Sequence, residues 1–105
     1  MPKIKIKPLS VNEAWKGRRF KSDKYKAYEY ELSLRLPPLE IPKGKIELTI
    51  ICGLSNKLSD IDNIAKPFID VLQKVYGFND NQIYDLHLVK QEVKKGMEYI
   101  EFLIV

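Results

Sequence analysis

Two aspartates one residue apart stand one helical turn ahead of a lysine in the segment S-D-I-D-N-I-A-K. They are Asp60 and Asp62, and the lysine is Lys66. Carboxylate oxygens are the ligands that Mg²⁺ and Mn²⁺ prefer, and a positioned ammonium can stabilise charge that develops on a phosphoryl group. These residue types at this spacing predict a site for a hard cation beside a phosphodiester. Further acids follow at Asp80 and Asp85.

Helix capping is the competing interpretation of the same residues. An Asp or Asn ahead of a helix commonly caps it. Asp62 with Lys66, and Asp70 with Lys74, have the i,i+4 spacing of helix ion pairs worth about 0.2–0.5 kcal/mol. Capping accounts for one acid. It leaves unexplained the second acid, the neighbouring Asn63 and the later acidic segment N-D-N-Q.

Pro67 helps to place the helix that carries these residues. Proline is tolerated near the start of a helix, so we expect the helix to begin close to Asp62 or Asn63. Asp60 and Asp62 then lie in a short approach segment, and if it is extended their side chains project to the same side. The helix is also the expected crossover between two parallel strands. That crossover places the loop of Asp80 at the opposite end of the strand pair.

The pattern along the chain predicts one α+β domain over residues 1–105, in the order β-α-β-α-β-β, with a small mixed sheet and two helices. Alternating Ile and Lys predict a short edge strand, and the segment from Ser10 to Ser22 shows no period and is interpreted as a loop. The remaining predicted elements are a helix over 23–35, a central strand at 46–52, a helix ended by Gly77, and a hairpin of 83–93 and 97–105 with its turn at Lys95-Gly96.

Composition narrows the class of protein. The chain has 105 residues, of which 45% are hydrophobic and 30% charged, which is typical of a globular domain. It holds a single Cys (Cys52) and a single His (His87), so an intrachain disulfide is excluded and any metal is expected to be held by oxygen. No apolar run approaches the roughly 20 residues needed to span a membrane, and the first residues lack the apolar stretch of a secretory signal.

Charge is distributed unevenly along the chain. Residues 1–26 hold nine basic and two acidic residues, within a net charge of +4 for the whole chain. This basic third suits contact with a polyanion, although the lysines near the N-terminus also fit the solvent face of a strand. The residues predicted to contact a DNA backbone are Lys16, Arg18, Arg19 and Lys21.

The segment D-I-D-N-I-A-K-P-F-I-D-V-L, followed by G-F-N-D-N-Q-I, resembles the RusA family of Holliday junction resolvases. The hallmark of that family is D-x-D-N-x-x-K, then an Asp on the helix and an acidic D-x-Q-[VI] loop. The N-terminal S-V-N-E-A-W-K is also similar, and the resemblance covers roughly residues 5–105. It implies a homodimeric Mg²⁺-dependent endonuclease, with Mn²⁺ as an alternative metal, that cuts four-way DNA junctions symmetrically. It also implies a cytoplasmic protein that is encoded by a bacterium or by a phage or prophage.

The resemblance assigns roles by motif position. Asp60, Asp62 and Asp80 would be the catalytic, metal-binding carboxylates and Lys66 the essential lysine. Asn63 and Asp70 would support them. Asp85 stays an alternative to Asp80, because the preceding loop is one residue shorter than in the family. Two other functions stay open: a DNA-binding or architectural protein without chemistry, and a nuclease for other branched DNA such as flaps or forks.

Overall fold

A mixed four-stranded sheet and two long helices form the fold of the computed structural model, which describes residues 1–17 and 20–105. The predicted α+β class is confirmed. The elements in chain order are β1 (Lys3–Ile4), α1 (Val11–Ala14), β2 (Trp15–Lys16), β3 (Phe20–Lys21), α2 (Asp23–Arg35), β4 (Ile46–Leu54), α3 (Ile61–Tyr76), a 3-10 turn (Asp80–Gln82), β5 (Ile83–Glu92) and β6 (Tyr99–Ile104).

The strand β4 is central in the sheet, as predicted. Its side chains alternate between the core and a more open face. The sheet order is β1-β6-β4-β5, with β5 parallel to β4 and β6 antiparallel to it. Ile46, Leu48 and Ile50 are fully buried, whereas Glu47 between them is exposed. This alternation is the pattern of a strand that packs helices on one face.

The predicted hairpin of residues 83–93 and 97–105 is wrong. β5 and β6 follow each other in the chain, but β4 lies between them and pairs with both. Gly96, with φ near 91°, does reverse the chain as its turn chemistry predicts. A turn alone does not decide which strands pair, and the reversed chain crosses the end of the apolar β4 to reach its free edge.

The segment from Ser10 to Ser22 was expected to be a loop, and that expectation is also wrong. Ser10 caps the four-residue helix α1 by accepting a hydrogen bond from the N–H of Asn12. The two-residue strands β2 and β3 then pair as a small antiparallel hairpin, with Trp15 opposite Lys21. Elements this short do not complete a periodic pattern, which is why the sequence showed none.

The two long helices carry the core. α2 has the predicted limits and begins after its N-cap Ser22, whose hydroxyl accepts a hydrogen bond from the N–H of Tyr25. α3 ends at Gly77, whose φ of 73° suits glycine. It contains Pro67 and buries Phe68, which packs edge-on against Phe102 of β6 with ring centroids 5.5 Å apart. No helix of the described residues is long and apolar enough to cross a membrane.

We expect Phe102→Ala to lower the free energy of unfolding by about 3–5 kcal/mol, because the ring is fully buried against α3 and its loss leaves a cavity. The matched control is Leu103→Ala, one residue along β6, whose side chain is 39% exposed. Urea denaturation measures both. Similar losses for the two variants would contradict the packing described for β6.

Candidate functional site

A groove of about 410 Å³ lies between α3 and β5 and brings together most of the chemistry-bearing residues. Positions 62, 66, 70 and 73 share one face of α3, because they are spaced by three or four residues. The apolar part of the groove includes Leu86 and Leu88 of β5. The polar residues that line it are Asp62, Lys66, Asp70, Gln73 and Asp80.

A larger groove of about 590 Å³ lies between α2 and α3. It is lined by Lys26, Glu29, Tyr30 and Lys74, among others, and Glu29 is its one acidic residue. The groove between α3 and β5 is smaller, but it holds three carboxylates beside a lysine. We therefore take the smaller groove as the candidate site, since charge chemistry and not size distinguishes a phosphodiester site.

The sequence predicts that Asp60 and Asp62 both lie in a short segment ahead of the helix. The structure shows a different arrangement. Asp60 is the N-cap of α3, and its carboxylate accepts a hydrogen bond of 3.2 Å from the backbone N–H of Asp62. Asp62 is already in the first helical turn and faces the groove. The capping interpretation therefore holds for Asp60, and the helix begins at Ile61, close to Asp62 as predicted. The metal and catalytic roles of Asp60, and the supporting role of Asn63, stay predictions.

Asp80 reaches the groove from the loop after α3. This loop is anchored at Phe78, which is buried, and by a capping box in which the side chains of Asn79 and Gln82 each accept a hydrogen bond from the other's backbone. Gln82 also donates to the carbonyl of Gly44 at 3.0 Å. The crossover argument put this loop far from the start of α3. The groove runs along the helix, so Asp62 and Asp80 both line it although they lie near opposite ends of α3.

Asp85 and His87 lie outside the groove. They alternate along β5 with the groove-lining Leu86 and Leu88, so they occupy the other face of the sheet. The Nε2 atom of His87 lies 3.1 Å from a carboxylate oxygen of Asp85. The geometry favours Asp80 over Asp85 as the acid that accompanies Asp62.

Asp70 is more closely integrated in the groove than the sequence suggested. Its carboxylate accepts hydrogen bonds of 3.5 Å from the Tyr25 hydroxyl and from the Gln73 amide. Partial burial raises the pKa of Asp70 and the negative charge of Asp80 adds to the rise, against the opposing effects of Lys66 and Tyr25. Burial is the largest of these effects, and the positive charge of Lys66 lowers the pKa by more than the charge of Asp80 raises it.

The donor set fits a hard divalent cation. Within residues 1–17 and 20–105, no three His, Cys, Asp or Glu side chains form a ready-made metal cluster. Mg²⁺ does not require one, because it keeps several waters and binds through one or two carboxylates plus substrate phosphates. Asp62, Asp70 and Asp80 offer oxygen donors only, whereas the single thiol, Cys52, is fully buried elsewhere. The groove therefore suits Mg²⁺ or Mn²⁺ in donor type.

The basic hairpin of β2 and β3 is tied to the helices next to the groove. Lys21 forms an ion pair of 2.8 Å with Glu29 of α2, and Lys74 of α3 binds the same carboxylate at 2.9 Å. A third groove, of about 400 Å³, is lined in part by Trp15 and Lys21. It shares Asp70 and Gln73 with the candidate site between α3 and β5. The hairpin and the acidic groove therefore form one continuous surface.

The structure describes only part of the predicted DNA-contact segment. Lys16 is exposed, and Lys21 is half-buried against Glu29. Arg18 and Arg19 lie outside the described residues. Phe20 is 73% exposed beside them.

Sequence reasoning missed three residues of this region. Glu29, which joins the hairpin to α3, belongs to none of the sequence motifs. The ring of Tyr25 is buried, and its hydroxyl reaches Asp70. Gln73 connects Asp70 with the loop of Asp80. Glu29 and Tyr25 contact residues that are distant in the chain, so no local spacing pattern marks them. Gln73 contacts near neighbours in the chain, but through a loop whose conformation the spacing did not predict.

Comparison with protein families gives a match that covers most of this chain. The model of a family described as Endodeoxyribonuclease RusA matches residues 6–101. The matched segment contains the hairpin, the whole of α3 and the loop of Asp80. Comparison with curated proteins gives no match.

Replacing Glu29 by Gln should destabilise the protein in a pH-dependent way. Partial burial alone would raise the pKa of Glu29, but hydrogen bonds from Lys21 and Lys74 outweigh it and lower the pKa. A lowered pKa means that the carboxylate stabilises the fold above its ordinary pKa and that this contribution is lost as the pH falls through the folded-state value. We expect Glu29→Gln to lower the free energy of unfolding by about 1 kcal/mol at neutral pH and by almost nothing in acid.

The control for this measurement is Glu31→Gln on the same helix. Glu31 pairs with Arg35 at the surface and is half exposed, so its replacement should cost about 0.5 kcal/mol or less. Denaturation at several pH values measures both variants. A Glu29→Gln effect that equals the control, or that persists unchanged in acid, would contradict the role of Glu29 as the junction of two lysines.

Proposed function

Because this chain belongs to the RusA family of endodeoxyribonucleases, we propose that it resolves four-way (Holliday) DNA junctions by paired, symmetric, metal-dependent phosphodiester hydrolysis. The observation that carries the proposal is the single groove lined by Asp62, Lys66, Asp70 and Asp80. Three carboxylates and one lysine around one cleft match the needs of a cation and a phosphate bound side by side.

Asp60, Asp62 and Asp80 are the proposed metal ligands on the family motif, and Asp62 and Asp80 both line the groove. When bound, Mg²⁺ or Mn²⁺ would supply Lewis-acid stabilisation of the phosphate and a water of lowered pKa. Asp62 stands on the first turn of a capped helix, and Asp80 stands in a turn held by several side chains. Both carboxylates are therefore presented by fixed backbone, which is the arrangement that a precise site needs.

Lys66 is proposed to neutralise the phosphate. Its ammonium is exposed on the groove face of α3, one turn from both Asp62 and Asp70. Asp70 attracts it electrostatically, as the opposing effect of Lys66 on the pKa of Asp70 indicates. An ammonium held in this way can bind a non-bridging phosphate oxygen and oppose the charge that builds up in the transition state.

The hairpin is proposed to contact the DNA backbone. Lys16 is its best described contact, because Lys21 already shares Glu29 with Lys74 and is partly neutralised. Arg18 and Arg19 are proposed as further contacts on the sequence alone. The N-terminal third as a whole is basic, which favours a polymer over a small phosphoester as substrate.

Paired cuts need two active sites, so we propose that the enzyme acts as a homodimer in the cytoplasm of a bacterium or of a phage-infected cell. The resemblance to the family supports this assembly. Sedimentation equilibrium should give twice the 12.3 kDa of the chain at the concentration used for cleavage. A monomer mass under conditions of paired cutting would overturn the proposed assembly.

Asp62→Asn should abolish cleavage of a labelled mobile four-way junction, with a loss of about 100-fold or more, because a proposed metal ligand is removed. Junction binding should be unchanged or tighter, since less negative charge then faces the phosphates. The wild type should cut only with Mg²⁺ or Mn²⁺ present. The matched control is Asp85→Asn, which removes the same charge outside the groove and should leave cleavage intact.

Several outcomes separate the alternatives. Equal loss of binding and cutting by Asp62→Asn, at unchanged stability, would contradict the metal role. Binding of junctions by the wild type without any cutting would favour an architectural DNA-binding protein. The same assay with a fork, a flap and a linear duplex tests the substrate class, because faster cutting of forks or flaps would favour the broader branched-DNA nuclease.

A further inference from the structure

The side-chain amide of Gln73 contacts two acidic residues of the groove, Asp80 through its oxygen and Asp70 through its nitrogen. Its Oε1 accepts a hydrogen bond of 2.9 Å from the backbone N–H of Asp80. Its Nε2 is 3.5 Å from the carboxylate of Asp70 and from the carbonyl of Ile69. Gln73 therefore links the last part of α3 to the loop that follows it.

The N–H of Asp80 depends on a partner outside its own turn. Asp80 is the first residue of the 3-10 turn, and the first N–H groups of a helical turn have no acceptor within it. The other anchors of this loop, Phe78 and Gln82, hold positions on either side of Asp80. Among the described contacts, Gln73 is the side chain that reaches the Asp80 backbone itself.

We propose that Gln73 is a positioning residue for the cleavage reaction: its amide oxygen fixes the backbone of Asp80, while its amide nitrogen contacts the carboxylate of Asp70. Gln73 sits on the groove face of α3 and is half-buried, so its rotamer is restrained. The contact itself stands on geometry, and its catalytic consequence rests on the proposed function. A fixed backbone sets where the Asp80 carboxylate points into the groove.

Gln73→Met removes both hydrogen-bonding ends and keeps the length of the side chain. We expect exchange of the Asp80 amide hydrogen, measured by NMR on the free protein without metal or DNA, to become at least about fivefold faster. We also expect the rate of junction cleavage at saturating enzyme to fall by about 10- to 100-fold, as is typical when a partner of a metal-binding side chain is lost. The dissociation constant for the junction should be unchanged.

Two further variants sharpen the test. Gln73→Glu keeps an oxygen acceptor in the same place, so the Asp80 amide should keep its slow exchange in that variant. Gln91→Met makes the same chemical change on β5, where Gln91 contacts the hydroxyl of Tyr99 and not this loop. It should alter neither the exchange of the Asp80 amide nor the cleavage rate.

The outcomes distinguish this proposal from the proposed function. Unchanged exchange of the Asp80 amide in Gln73→Met overturns the positioning role, whatever the cleavage rate. A cleavage loss that is matched by weaker junction binding also overturns it, because misplacing one acid does not remove the basic surface. A wild type that cuts no branched DNA overturns the proposed function and the catalytic part of this inference, while the exchange measurement still decides the contact.

Discussion

The packing of α3 against the sheet is the constraint on which the candidate site depends. One face of the helix is apolar and buries Phe68 against Phe102 of β6, with Leu72 fully buried beside it. The core thereby fixes how the helix is rotated about its own axis. The polar side chains on the other face are thereby oriented as well. Asp62 and Lys66 face the groove beside β5, because any other rotation of the helix would expose its apolar face. Burial of apolar surface thus orients residues that contribute nothing to the core.

The groove holds three aspartates and one lysine, and the basic hairpin lies alongside it. Burial is the main cause of the raised pKa of Asp70, with a smaller contribution from the charge of Asp80 and an opposing one from Lys66. The hairpin brings basic residues alongside, and Glu29 neutralises part of that charge where it holds Lys21. An acidic cleft beside basic residues is suited to a cation and a polyanion that bind together.

The loop of Asp80 shows how a small domain gives precision to a residue outside regular structure. A chain of 105 residues has a limited core, and most loops of such a domain are held by few contacts. This loop is held by a buried aromatic ring, by a capping box and by glutamine side chains from two directions. The proposed function gives that anchoring a reason, since a displaced catalytic carboxylate reduces catalysis strongly.

The sequence alone determined what depends on neighbouring residues. The limits of α2 follow from Ser22 and the spacing of buried residues, the central position of β4 follows from its apolar alternation, and the motif from Asp60 to Lys66 identified the family. The tertiary structure decided what depends on distant contacts. It inserted β4 between β5 and β6, and it brought Asp80 into the groove of Asp62. Strand pairing and loop anchoring join residues far apart in the chain, and their free energy depends on which surfaces are left to bury, so no local pattern could specify them.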